Sequence, residues 1–211
     1  MHSGIYDTVS GWVQPNSRVL DLGAGDGAFL ERLVKTRSIL GEGVEKNAVL
    51  AARCVQRGLV VHQGDIADGL DQYGDGTFEF VLLLGTFQEL ISPAEIFREA
   101  FRVGRKLIVA YANFCHIRVR LQVLFSGRTP VTNSLPTAWH ETPNLHFLSI
   151  LDFQEFCRAS KYREIDRAFF NANGPVRYLP NLRAEEAVSL LQSERLSHHN
   201  APGERSKTEI K

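Results

Sequence analysis

VLDLGAGDGAFLERL, residues 19 to 33, is the stretch that decides the fold. Val19 and Leu20 lead into an acid, Asp21, glycines follow at 23, 25 and 27, and Phe29, Leu30 and Leu33 restart at helical spacing,. The pattern is a strand, a tight turn and a helix. Turns of this kind bring backbone N–H groups and a helix N-terminus against a ligand, and glycine serves there because no Cβ stands in the way.

Outward from this unit, strand and helix keep alternating. The first strand is RVLDLG (18 to 23), GAFLERLVKT is a helix, and SILGEGVEK (38 to 46) carries a second strand. A helix, AVLAARCVQRG, stops at Gly58. LVVHQGD is a third strand, FEFVLLLG (78 to 85) a fourth, AEIFREAFRVG a helix opened by Ser92 and Pro93, and KLIVAYANF a fifth strand,. Alternation of this sort implies a parallel sheet, and runs such as VLLL and LIVA suit strands buried on both faces. The reading is a doubly wound, Rossmann-like α/β core.

Residues 116 to 148 break that rhythm with prolines, Trp139 and polar side chains, and form an insertion after the fifth strand of the kind that usually carries function,. Within it HIRVRLQVLF fits a strand by alternation and a helix by composition. A helix over 151 to 160 and a strand, REIDRAFFN, follow. AEEAVSLLQ (184 to 192) has helical local propensity, although a sheet of this class wants a final strand there,. One domain over 1 to 192 and a polar, disordered tail over 193 to 211 are expected.

Composition narrows the partners. The 211 residues carry 24 Lys and Arg against 24 Asp and Glu, so no global positive field recruits nucleic acid or an anionic membrane,. Three scattered cysteines with no CxxC pair argue against a disulfide framework or a zinc site and suit a reducing cytoplasm,. The longest apolar runs fall far short of the roughly 20 residues of a membrane span, and no signal peptide is expected.

Three ligands compete for the glycine turn. The dinucleotide pattern G-x-G-x-x-G/A is met by Gly23, Gly25 and Ala28, whereas the Walker loop is excluded because no Gly-Lys dipeptide occurs,. The third is S-adenosylmethionine, whose loop in class I methyltransferases reads acid-x-G-x-G-x-G, as Asp21 to Gly27 do. Charge separates the first from the third. Asp21 and Asp26 would stand close to a pyrophosphate, and like charges a few ångströms apart cost on the order of 1 to 4 kcal/mol. The sulfonium and α-ammonium of S-adenosylmethionine are attracted by carboxylates, and loop N–H groups are expected to take its carboxylate. Glu45, ending the second strand ahead of Lys46, is placed to accept both ribose hydroxyls. Asp65 is placed for the adenine amino group with Ile66 beside the ring,. With Asp21, Gly23, Ala24, Gly25 and Gly85, these complete the expected cofactor set.

The chain also resembles a family. VLDLGAGDG, GVEKN, CVQRGLVVHQGDIADGL, RVGRKLIV, the GRTPVT segment and WHETPN with its following LHFLSI are similar to the MetW family of methionine-biosynthesis proteins, over nearly the whole chain to about residue 190. The resemblance implies the class I methyltransferase fold, S-adenosylmethionine or S-adenosylhomocysteine as ligand, and homoserine O-acyltransferase as partner. Ala24, Thr129 and Ile117 depart from the residues usual in that family.

Candidates for a substrate pocket or partner surface follow the fifth strand: Asn113, His116, Arg118, Arg120, Arg128, Trp139, His140 and Asn144. Arginines in a pocket would clamp the carboxylate of a small acceptor, and exposed Trp139 and Phe147 would instead mark a docking patch. HETPNLH sets its histidines six apart around a proline, which does not suit a zincin-type metal site,.

Overall fold

From residue 18 to 112 strands alternate with helices, save for a 3-10 turn ahead of the fourth strand, in the computed structural model, which describes residues 1–68, 70–132 and 134–194. In chain order the elements are α1 (Ser3–Trp12), β1 (Arg18–Leu22), α2 (Ala28–Arg37), β2 (Leu40–Glu45), α3 (Ala48–Gln56), β3 (Val60–Gln63), β4 (Phe78–Leu84), α4 (Pro93–Val103), β5 (Gly104–Ala112), α5 (Ile117–Ser126), α6 (Ile150–Ala159), β6 (Tyr162–Asn171), β7 (Gly174–Pro175), α7 (Pro180–Arg183) and β8 (Glu186–Ser193). Short 3-10 turns lie at Ile66–Asp68 and Phe87–Glu89. Of the tail expected over 193 to 211, all but Ser193 and Glu194 lies outside the described residues.

Among the described residues the strands form one sheet in the order β3-β2-β1-β4-β5-β8-β6-β7. The first five are parallel, as their apolar runs require, and β8 is antiparallel to both neighbours. Period-two alternation sends Leu20, Val81, Leu83, Leu107 and Val109 to one face, where Phe97 and Phe101 of α4 and Phe153 of α6 cover them,. Val19, Phe80, Leu82 and Ile108 go to the other, under Ile5 and Val9 of α1 and Leu30 and Leu33 of α2. The order of strands reverses between β1 and β4. In open α/β sheets the ligand crevice lies at that switch point, beyond the carboxyl ends of the strands.

Two elements answer alternatives left open by the sequence. Residues 117 to 126 are helical, capped by His116, whose Nδ1 accepts the Arg118 N–H at 3.3 Å. The helical propensity of AEEAVSLLQ is overridden: Glu186 to Ser193 fills the slot between β5 and β6, hydrogen-bonded on both sides and buried on both faces. Ladder pairing along both edges gives its backbone groups partners, which outweighs a propensity of tenths of a kcal/mol per residue,. α1 had no counterpart in the sequence reading. It closes the second core face with Ile5, Val9 and Val13.

Candidate functional site

The glycine turn joins β1 to α2 at the switch point. Gly23 has φ of 87°, and a Cβ on it would collide with the Thr86 side chain, whose hydroxyl donates to the Leu22 carbonyl at 3.0 Å. Gly25 has φ of 59° and nothing within 4 Å of where its Cβ would be, so its backbone faces open space. The loop uses its own N–H groups. Gly23 N and Ala24 N donate to the Val44 carbonyl at 2.8 and 3.1 Å, and Gly25 N donates to Glu45 Oε2 at 2.8 Å. These three N–H groups hold the turn against β2, so the turn gives the cleft shape and room, and Gly23, Ala24 and Gly25 do not carry the expectation that loop donors take a ligand carboxylate.

Glu45 is the centre of this arrangement. Its Oε1 accepts the Asn47 N–H at 2.8 Å while Oε2 holds Gly25, so the carboxylate is fixed across the mouth of the loop and is largely buried. A carboxylate has about four acceptor sites, so each oxygen keeps capacity for a ligand hydroxyl. Asp21, one residue before the end of β1, is buried. Its carboxyl is pushed up to about 7, first by burial and then by the Glu45 charge,.

A cleft of about 640 Å³ opens beside this loop. Gly23, Gly25, Glu45, Lys46, Asp65 and Ile66 of the expected cofactor set line it. Asp65 Oδ1 accepts the Ala67 N–H at 2.9 Å, which aims the side chain past the end of β3, and Ile66 is buried beside it. Asp21 and Ala24 are not among the lining residues: Asp21 lies beneath the loop, and Ala24 packs into the core near Gly43. Gly85 lines a neighbouring cavity. Asp26, counted as a carboxylate close to the ligand, turns away. Arg57 of the α3 C-terminus donates to its Oδ2 at 2.9 Å and to its carbonyl at 2.8 Å, and the Ala28 N–H and this guanidinium hold its pKa below the usual carboxylate range.

The sequence reading missed the far wall, made by Thr86, Leu90, Ile91 and the start of α4 with Glu95 and Glu99. The signal was available, because these residues follow β4 as Asp65 follows β3. Six acids line the cleft, Glu45, Asp65, Asp68, Glu89, Glu95 and Glu99, against one cation, Lys46. Arg98 and Arg102 offset two of them, at 3.5 Å from Glu95 and 2.8 Å from Glu99. The cleft favours a cationic ligand over a pyrophosphate.

A second cavity of about 270 Å³ meets the cleft at Glu89. Met1 and Ile5, Gly85, Tyr111, Asn144 and Glu186 are among the residues that line it. Glu186 comes from the first residue of β8, paired beside Ala112, and no local pattern could have placed it here. Its Oε2 accepts the His2 N–H at 2.6 Å.

Of the candidates after the fifth strand, Asn144 alone reaches this cavity, and among the described residues no arginine lines either space. Asn113 is fully buried. Its amide donates to the carbonyls of Asn181 at 3.1 Å and Ala184 at 2.8 Å, and its Oδ1 accepts the Cys115 N–H at 3.1 Å, so it ties the root of the insertion to α7. His116 caps α5, and burial lowers its pKa. Arg118 lies 3.8 Å from Glu185, Arg120 Nε donates to the Cys115 carbonyl at 2.6 Å, and Arg128 is exposed. Trp139 and His140 are exposed, with His140 3.8 Å from Glu141, while His146 Nε2 lies 2.8 Å from the Leu90 carbonyl oxygen. The two histidines of HETPNLH thus face different partners.

The fold is shared with solved methyltransferases. A possible histamine N-methyltransferase from Thermotoga maritima aligns over 90% of this chain and 88% of its own, with a TM-score of 0.66 at 20% identity. A magnesium protoporphyrin IX methyltransferase from Synechocystis with bound S-adenosylhomocysteine gives a TM-score of 0.65 at 14% identity, covering 90% and 83% of the two chains. A methyltransferase from Geobacter sulfurreducens in complex with S-adenosylhomocysteine gives 0.61 at 14%, covering 92% of each. At such identities the likeness concerns the fold. In sequence the chain is 28% identical over 189 residues to a bifunctional methionine biosynthesis protein MetXA/MetW from Rhodopirellula baltica, a match spanning 83% of this chain and 30% of that relative. The family model described as methionine biosynthesis protein MetW matches residues 5–191. With the glycine turn, the acid-lined cleft and the antiparallel β8 on this Rossmann-like methyltransferase sheet, the chain belongs to the MetW family of methionine biosynthesis proteins.

Proposed function

We propose that the cleft holds S-adenosylmethionine, or S-adenosylhomocysteine, and that the chain assists the homoserine O-acyltransferase step of methionine biosynthesis in the cytoplasm. The ligand reading rests on one observation: the fixed, partly unsaturated Glu45 carboxylate stands at the floor of an acid-lined cleft of a size typical for a nucleoside ligand,. Glu45 accepts the ribose hydroxyls, Asp65 the adenine amino group, and Ile66 packs against the ring. The surrounding acids favour the ligand's positive charges. The partner reading draws on the Rhodopirellula baltica relative, in which a unit like this one is one part of a bifunctional chain more than three times as long as the match. We take the other part to be the acyltransferase that the family resemblance implies. The chain carries no membrane-length apolar helix among its described residues, and its cysteines are free, which suits that compartment.

Calorimetric titration tests the ligand assignment. Wild type binds S-adenosylmethionine with micromolar affinity, about 8 kcal/mol, and Glu45→Ala weakens binding at least about tenfold, since both the ribose acceptor and the anchor of Gly25 are lost. Equal affinity in the two proteins overturns it. Acyltransferase activity measured with and without the chain tests the role, and no change in rate overturns that.

A second reading, methyl transfer to a small molecule, is favoured by the adjoining cavity at Gly85 and Glu89, which suits an acceptor held beside the cleft. When bound, S-adenosylmethionine supplies an activated methyl group. The acceptor in this reading is neutral or cationic. A carboxylate-bearing acceptor meets Glu89 and Glu186 there and none of the arginines expected to clamp it.

A further inference from the structure

Helix α5 is amphipathic in an inverted sense. Its one buried residue is Val119, while Leu121, Leu124 and Phe125 recur at i, i+3 and i+4 on the opposite side, with Leu124 72% and Phe125 81% exposed,. Surface helices normally turn such a stripe inward, because leaving large apolar side chains in water forgoes the free energy of burying them. The helix is nevertheless held in place rather than loosely attached. His116 caps its N-terminus, Gly127 in the left-handed region (φ of 61°) ends it, and Arg120 binds back to the Cys115 carbonyl. Its root is fixed through the buried Asn113. A rigidly presented row of apolar side chains at this spacing is the form in which a helix enters a groove on another protein.

Charge narrows the occupant. From residue 117 to 140 the sequence contains Arg118, Arg120 and Arg128 and no acid, in a chain whose total charge is zero. A symmetric pair of copies meeting through α5 would set these arginines against themselves, which disfavours a second copy. Three outward apolar side chains on a ten-residue helix offer little area for holding a membrane,. A folded partner with an apolar groove rimmed by carboxylates fits both the stripe and its basic surround.

We infer that the Leu121, Leu124 and Phe125 face of α5 is the surface by which this chain docks on homoserine O-acyltransferase. The inference rests on the partner reading above and assigns it a place. The face belongs to the insertion and lines neither the cleft nor its neighbouring cavity, so docking leaves ligand access open.

The test is binding of the purified acyltransferase to the full chain, by calorimetry and co-elution, for wild type, for Leu124→Glu combined with Phe125→Glu, and for Val55→Glu on α3 as a surface control. Titration with S-adenosylmethionine reports that each variant is folded. The expected result is that the double variant loses at least about tenfold in acyltransferase affinity, with ligand binding unchanged and the control like wild type. Raised salt also weakens the wild-type complex. Undiminished acyltransferase binding by the double variant overturns the docking face and leaves the partner reading standing. No binding by wild type overturns both. If the substitutions abolish self-association or sedimentation with anionic phosphatidylserine vesicles while acyltransferase binding persists, the face belongs to a second copy or to a membrane, and the proposal falls.

Discussion

The carboxyl of Asp21 spans two protonation states near neutral pH, because burial and then the Glu45 charge push it up to about 7. The sign of the consequence is fixed. The folded chain binds this proton more tightly than the unfolded one, so the group's contribution favours folding below its ordinary value of 3.8 and is lost as pH rises to about 7,. The full difference is on the order of 4 kcal/mol. Between pH 5 and 8 the ligand-free wild type should therefore lose melting temperature relative to Asp21→Asn. A bound sulfonium favours the ionised form, so affinity for S-adenosylmethionine should rise from pH 6 to 8 in wild type and stay flat in Asp21→Asn. A parallel pH profile in both proteins would remove Asp21 from the ligand's electrostatics. At this scale the sequence was legible where position along a strand sets the place of a side chain, as for Glu45 and Asp65, which both line the cleft. It misled at Asp26, whose partner Arg57 lies 31 residues away and is brought close by the packing of α3 against the loop.

Elements were legible where both faces of a strand are apolar or a helix is periodic, and less so where long-range pairing decides. β8 is the case in point: AEEAVSLLQ carries helix-forming residues, and only its two neighbours, β5 more than 70 residues upstream and β6 beyond β7 and α7, make it a strand. Asn113 shows the same limit. As a residue type after a strand it reads as a pocket donor, yet both N–H groups of its amide are spent on the Asn181 and Ala184 carbonyls, joining the insertion to α7. Asn113→Ala should strand the carbonyls of Asn181 and Ala184 and lower stability by about 1 to 3 kcal/mol in denaturant titration,. Ligand affinity should change little. A variant as stable as wild type would show that water replaces the amide and that the root of α5 is held by other contacts.

For the whole molecule, charge and topology say the same thing by different routes. Beyond the carboxyl ends of the parallel strands Glu45, Asp65 and Glu89 line the same cleft, and a ligand bearing phosphates meets them together. NAD should give no heat in a titration that registers S-adenosylhomocysteine. Measurable NAD binding at the same site would overturn the electrostatic account of the cleft. The alternation of strand and helix was sufficient to foresee the parallel half. The antiparallel half depends on β8, and this has a consequence for biogenesis. β8 is the last described strand, yet it sits between β5 and β6. Until the ribosome has released residues 186 to 193, β5 offers an apolar unpaired edge from Leu107 to Ala110, a template for aggregation,. Emerging chains thus expose this edge until residues 186 to 193 have left the ribosome, and a truncation ahead of Glu186 should collect in the insoluble fraction on expression, whereas the chain carrying β8 should not,.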